Sequence, residues 1–223
     1  ILFLLSLRTI SQFLFPRNAV APQPVVSAPL PLEDNTTTSP VEIKKITVTG
    51  STKIAPPLTS IAKGDVIASW NFKGAYADRP DLIAKAEAEI TLLSGLLGEG
   101  TAPDVSIYVG IANQYDLLGD GKQEYDYLGR AIKADAEVTS GLPWHNLGVL
   151  MEKLGALETA RVSYEQSTLI QPEMKFYHYA YFEFLTTKMK SDIADIEKEY
   201  AVAIKNLGQD SDILQLYSEW KQS

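Results

Sequence analysis

Cysteine is absent from this 223-residue chain, and histidine occurs only twice, at His145 and His178. Without cysteine there are no disulfides, thiolate metal ligands or cysteine nucleophiles, and the redox compartment stays open because such a chain tolerates either. The two histidines form no i, i+4 pair, and no closely spaced trio of zinc ligands accompanies them. The sequence therefore predicts neither a metal site nor a cofactor.

Basic residues are also fewer than acidic ones. The chain has 28 acidic and 20 basic residues, which gives a formal net charge of −8. Binding to nucleic acid depends largely on neutralising phosphates with lysine and arginine, so nucleic acid is not an expected partner. The hydrophobic content of 45% is sufficient for one folded domain of ordinary size plus an extended segment.

Patterns typical of catalysis are missing. The run Gly119-Asp120-Gly121-Lys122 lacks two parts of a phosphate-binding loop, because Asp116 stands where that loop needs glycine and Gln123 where it needs serine or threonine. Glycine and aspartate at these positions instead predict a turn between two helices. No serine has histidine and aspartate near it in a nucleophile arrangement, so we do not expect an enzyme.

No apolar run reaches the length of roughly 20 residues that a membrane-spanning helix needs. The longest, residues 1–15, contains Arg8 and begins without methionine. Three interpretations remain open for this segment. It is a truncated membrane anchor or uncleaved signal, an apolar helix that packs on a partner or in an assembly, or a partly retained targeting peptide.

Residues 16–40 are predicted to form an extended linker. They contain six prolines among alanine, valine, serine and threonine, a composition that favours a polyproline-like spacer over a packed core. A hydrophobic segment, a proline-rich linker and a folded domain in that order favour a membrane-tethered protein that is extracytoplasmic or at the cell surface. Asn35-Thr36-Thr37 matches the N-glycosylation pattern, although a solvated linker residue is the simpler interpretation.

Residues 41–66 predict an arm with some strand character. The part 41–49 is rich in β-branched residues, and 50–52 has a turn-like composition, so a short hairpin is plausible. Pro56 and Pro57 end any regular element. An isolated hairpin is marginal in water, so the arm either packs along the folded domain or offers a strand to another chain.

The remaining residues, 67–223, show helical periodicity that is clearest at 141–174. Apolar bulk and small residues recur there at the spacing of two short antiparallel helices. The residues concerned are Trp144, Leu147, Gly148, Met151, Gly155, Leu157, Ala160, Tyr164 and Pro172. This series resembles the tetratricopeptide repeat (TPR), in which small residues let the two helices approach closely and the period is near 34 residues.

Similar positions recur on both sides of this segment. Residues 105–140 match it except that Glu124 stands where Ala160 stands, and 177–204 match with about two more residues between the helices. Residues 67–104 match more weakly, through Trp70, Gly74 and Ala86. The resemblance implies an all-α solenoid of about three to four helical hairpins, closed by a capping helix at 212–220.

The resemblance also implies a binding groove lined by the first helix of each pair. Its candidate residues are Val109, Asn113, Asp116, His145, Asn146, Val149, Glu152, Phe176, Tyr179 and Glu183. Two of them, Asn113 and Asn146, match asparagines that hold a ligand in one subclass of the family. The cations that complete that clamp are replaced by Val109, Phe176 and Ala180, so an acidic C-terminal peptide is not the expected ligand. Three carboxylates and two aromatic residues among the candidates instead favour an extended or helical segment with apolar and basic character.

Two functions from different classes remain. In the first, the chain is a non-enzymatic interaction scaffold, tethered to a membrane or extracytoplasmic, that binds a peptide or protein in its groove. In the second, it is a structural subunit of a filament or large complex that assembles through residues 1–15 and the 41–49 strand. The first function implies membrane contact through residues 1–15, and the second implies self-association or assembly with other subunits.

Overall fold

Residues 61–223 are described by the computed structural model, and within this range the chain forms eight helices and no strand beyond one isolated bridge between Asn71 and Asp120. The helices are α1 (Pro80–Gly95), α2 (Asp104–Leu118), α3 (Gly121–Ala134), α4 (Leu142–Lys153), α5 (Leu157–Ile170), α6 (Lys175–Lys188), α7 (Ile193–Leu207) and α8 (Ser211–Gln222). The all-α class is confirmed for this range. The expected helix at 1–15, the linker at 16–40 and the strand at 41–49 lie outside it.

Short connections join the helices into antiparallel pairs. Between α2 and α3 there are only two residues: Gly119, whose φ of 82° is left-handed, and Asp120, whose Oδ1 accepts a hydrogen bond from the Gln123 amide at 3.1 Å. So short a connection makes the two helices antiparallel neighbours. The predicted turn between helices is confirmed at Gly119 and Asp120, whereas Gly121 and Lys122 already belong to α3.

Two further pairs follow the same plan. Residues 154–156 connect α4 to α5, and 189–192 connect α6 to α7, so the third pair has the longest connection, as the sequence predicts. The last helix, α8, contacts both α6 and α7. Aromatic residues pack α8 against α7. The rings of Tyr217 on α8 and Tyr200 on α7 are stacked, with 3.7 Å between their centres.

The periodic residues of 141–174 form the centre of the core. Trp144, Leu147, Met151, Ala160 and Tyr164 are all buried and belong to one hydrophobic cluster. A side chain at Gly148 would place its Cβ 2.8 Å from the Tyr164 ring. The expected close approach of α4 and α5 is therefore present, and at Gly148 of α4 the neighbour is the Tyr164 ring of α5.

Residues 67–104 differ from the expected helix pair. Their second half is helical in α1, but 67–79, including Trp70 and Gly74, is not helical. Gly74 is buried against the α2–α3 turn, where a Cβ would overlap the Leu117 carbonyl oxygen, so its small size serves backbone packing outside a helix. We call residues 61–79 the strap, because they lie across the turns of two helix pairs.

Backbone hydrogen bonds hold the strap on the α2–α3 turn. The Phe72 amide donates to the Gly119 carbonyl at 3.1 Å, and the Gly121 amide donates to the Trp70 carbonyl at 3.0 Å. Trp70 and Phe72 also pack against the main hydrophobic cluster. The strap thus buries aromatic side chains while satisfying the backbone groups that the turn leaves free.

The strap also caps α5 from a distant part of the sequence. The residue before α5, Ala156, has no side chain that can cap the helix. Instead the Asp65 carboxylate accepts hydrogen bonds from the amides of Glu158 and Thr159 at 3.2 and 2.7 Å, and from the Thr159 hydroxyl at 2.7 Å. A carboxylate at this position satisfies amides that have no partner inside the helix and favours the positive end of its dipole.

Replacing Asp65 with alanine is expected to lower the free energy of unfolding by about 1–3 kcal/mol, because an N-terminal cap and charge-assisted hydrogen bonds are lost. Denaturant unfolding of the full chain measures this. Asp192→Ala is the matched control, since Asp192 precedes α7 but its side chain makes no capping hydrogen bond. Equal stability of the two variants would show that the strap does not cap α5.

Candidate binding surface

Asn113 of α2 and Asn146 of α4, two of the expected groove residues, are joined directly. The Asn146 amide nitrogen donates a hydrogen bond to the Asn113 side-chain oxygen at 3.0 Å, and both side chains are half-buried. Each amide has four hydrogen-bonding positions, so the pair fixes the two side chains and leaves a carbonyl oxygen and several N–H groups for a ligand. The structure therefore brings together the two asparagines on neighbouring helix pairs.

Two of the three expected carboxylates have intramolecular lysine partners. Asp116 pairs with Lys153, whose ammonium also lies 4.2 Å from the centre of the Phe72 ring. Glu152 accepts a hydrogen bond from the Tyr164 hydroxyl at 3.0 Å and lies 3.5 Å from the Lys188 ammonium. The surface is consequently less acidic than the sequence suggests.

Glu183 on α6 differs from these two residues because no ion pair within the described part of the chain includes it. Its side chain is exposed. Partial burial of the carboxyl and the nearby charge of Glu152 raise the pKa of Glu183. Within the described residues, Lys188 is thus paired with Glu152 alone, and the neighbouring Glu183 has no cation of its own.

Apolar side chains stand beside these charges. Val149 is 38% exposed on α4 and Phe176 is 48% exposed on α6, while Tyr179 is half-buried. The Phe176 ring lies against the His145 ring, with 4.6 Å between their centres. Exposed rigid aromatic area next to polar groups is typical of surfaces that bind proteins or peptides.

Val109 and His145 do not lie on this surface, although the sequence places them there. Val109 is only 4% exposed and His145 only 6%. His145 is enclosed by Tyr164, Phe176 and Tyr177, and this burial lowers its pKa to about 4, so the ring is neutral at pH 7. Both residues support the surface from below.

The second histidine has a different environment at the matching position of α6. His178 is fully buried, its Nδ1 lies 2.6 Å from the Glu199 carboxylate on α7, and its Nε2 lies 2.9 Å from the Pro172 carbonyl. Both neighbours are acceptors. Burial alone lowers the pKa of His178, but the hydrogen bond and charge of Glu199 raise it above the ordinary value. The pair links α6 to α7 and is not accessible to a ligand.

Glu124, the one residue that departs from the repeat pattern of 105–140, is buried in α3 with 5% of its surface exposed. Its Oε2 has no hydrogen-bond partner within the described residues. Burial, together with the nearby charge of Asp116, raises the pKa of Glu124 to about 9 despite the opposing effect of Lys153. The carboxyl group is therefore protonated at neutral pH.

A cluster of metal ligands and a helix able to span a membrane are both absent from residues 61–223. No group of three histidine, aspartate or glutamate side chains is placed to hold a metal ion there. No helix in the same range is both long and apolar enough to cross a membrane. Comparison with protein-family models, with curated proteins and with solved structures finds no match.

Proposed function

We propose that this protein is a non-enzymatic interaction scaffold whose TPR-like helical hairpins bind a peptide or protein segment along α2, α4 and α6. The observation that carries the proposal is a surface on which half-buried amides and exposed apolar side chains lie along these three helices. The joined pair Asn113 and Asn146 lies on two of these helices, and the exposed Val149 and Phe176 lie on two of them. Amides that can bond to a ligand backbone, next to rigid apolar area, are the composition expected of an interaction site.

The arrangement of the helix pairs supports the same proposal. The side-chain core runs through consecutive pairs, from Ala112 of α2 to Ile196 of α7, so it fixes the positions of the first helices relative to one another. A ligand in contact with all three would find a surface that is already formed, which reduces the entropic cost of binding. The tether to a membrane and the extracytoplasmic location are proposed on the pattern of residues 1–40 alone.

The asparagine pair provides the direct test. We expect the double substitution Asn113→Ala and Asn146→Ala to weaken peptide binding by about 10- to 100-fold, as for hydrogen bonds of about 1–3 kcal/mol left unmade. The full chain is first panned against an unbiased library of 12-residue peptides. Selected peptides are then titrated calorimetrically against the wild type and the double variant, whose helical content is checked by circular dichroism.

Asn206→Ala is the matched control, because Asn206 is exposed on α7 and lies outside the proposed surface. It should bind with wild-type affinity. If no peptide is selected, or if the double variant binds as tightly as the control, this surface is not a peptide-binding site.

A further inference from the structure

We infer that the ligand carries a lysine or arginine side chain next to an apolar residue. Glu183 and Glu152 receive the cation, and Phe176 and Val149 receive the apolar group. This inference rests on the proposed function and specifies the chemistry of the partner. It depends on the charges around α6, on the way Glu152 is held, and on the exposed Val149, which lies one helical turn before Glu152 on α4.

Among the described residues around α6, carboxylates outnumber cations. Lys188 is the only cation paired with Glu152 in residues 61–223, and Lys175 is already paired with Asp210 and Asp212 at 3.0 and 2.6 Å. Burial and the charges of Glu183, Asp212 and Glu219 raise the pKa of Tyr179, which places these carboxylates around one half-buried ring. The surface therefore favours a basic partner over an acidic one.

Glu152 is held in place before a ligand arrives. Its Oε2 accepts the hydrogen bond from Tyr164, and that tyrosine is 3% exposed and packed against Phe184. A carboxylate fixed by a buried hydroxyl group loses little freedom when a cation binds to it. A cation placed between Glu152 and Glu183 also removes the repulsion between the two charges. Arginine suits this place well, because its planar group can bond to two carboxylate oxygens at once.

Val149 explains why an apolar group should lie beside the cation, because it is one helical turn from Glu152, and Phe176 extends the apolar area along α6. His145 supports the exposed Phe176 ring from below, and its neutral imidazole does not repel an approaching positive charge. Covering Phe176 and Val149 would remove apolar surface from water, which favours binding.

The test is a reversal of specificity in the full chain. Wild type and Glu183→Lys are panned in parallel against the same unbiased 12-residue peptide library. Wild type should enrich peptides with lysine or arginine within about two residues of a leucine, isoleucine or phenylalanine. Glu183→Lys should lose this preference at least about tenfold and enrich aspartate or glutamate instead. Glu87→Lys, an exposed change on α1 with the same alteration in charge, should select the wild-type peptides.

The outcomes separate the inference from the proposed function. If peptides are selected and bind through Asn113 and Asn146, but without a basic residue or with the same composition in Glu183→Lys, the inference is wrong and the peptide-binding function stands. If Glu87→Lys changes the selection as much as Glu183→Lys does, the effect is one of net charge and the inference is again wrong. If no peptide is selected by any variant, both are contradicted.

Discussion

Replacing Glu199 with leucine is expected to lower the free energy of unfolding by about 3–5 kcal/mol, the usual cost of leaving one member of a buried charged pair without its partner. His178 has no solvent-accessible surface and would lose the acceptor of its Nδ1 proton. Denaturant unfolding at neutral pH measures the effect. Because the pKa of His178 is raised, the stabilisation from this group is present below its ordinary 6.5 and is lost as the pH rises through the raised value. Burial also raises the pKa of Glu199, and through that carboxyl the stability falls as the pH rises above its ordinary 4.5.

Two variants control this experiment. Glu199→Gln keeps a hydrogen-bond acceptor without a charge and should cost clearly less than Glu199→Leu. The double variant His178→Leu and Glu199→Leu removes both ionisable groups and should recover much of the loss, because no buried charge is left unpaired, although the Pro172 carbonyl loses its bond to His178. If Glu199→Leu and Glu199→Gln are equally stable, the two side chains do not form a charged pair in the folded protein.

The second large effect is a gain in stability from Glu124→Gln at neutral and alkaline pH. Below about pH 4.5 the carboxyl is protonated in both the folded and the unfolded chain, so pH has no effect through this group. Above that pH the unfolded chain loses the proton while the folded chain keeps it up to about pH 9, so stability falls as the pH rises. The fall is about 1.4 kcal/mol per pH unit.

Glutamine has nearly the same shape as glutamate and does not ionise, so the Glu124→Gln variant should not lose stability through this group as the pH rises. Between about pH 5 and about pH 7.5, the stability of Glu124→Gln relative to wild type should rise by on the order of 3 kcal/mol. Unfolding curves at several pH values measure the difference. Glu87→Gln, exposed on α1, should follow the wild type at every pH. A constant difference between Glu124→Gln and wild type would mean that Glu124 is ionised in the folded protein.

Much of the fold of 105–221 could be predicted because its evidence is local and periodic. Trp144, Leu147 and Met151 recur at helical spacing and are buried together in the core. The turn at 119–120 has its own chemical signature in a glycine and a capping aspartate. Such signals depend on neighbours a few residues apart, which a single sequence displays directly.

The contacts that the sequence did not reveal join residues far apart in the chain. Asp65 caps α5 through Thr159, which lies 94 positions away, and its surroundings in sequence give no sign of that partner. Trp70 and Gly74 match the repeat spacing by residue type alone, yet they serve a non-helical strap. Glu124 was visible as a departure from the pattern, but its burial depends on the packing of the helices around it.

The candidate surface was predicted in part for a related reason. Helical spacing gives the direction of a side chain within about a third of a turn, and it does not show what packs on top. His145 points towards the surface side of α4 but is covered by Phe176, so the exposed residue is the aromatic one. The lysine partners of Asp116 and Glu152 likewise come from the first helix of the next pair in each case, Lys153 at the end of α4 and Lys188 at the end of α6.

The most direct test of the proposed peptide-binding surface is hydroxyl-radical footprinting of the full chain with and without a library-selected peptide. The peptide should protect Phe176 and Tyr179, which lie on the proposed surface. Leu92 on α1 and Ile193 on α7, which are 59% and 58% exposed, should react as before and serve as internal controls. Protection of Leu92 or Ile193 with Phe176 unchanged would contradict the account, because the ligand would then bind outside the face formed by α2, α4 and α6.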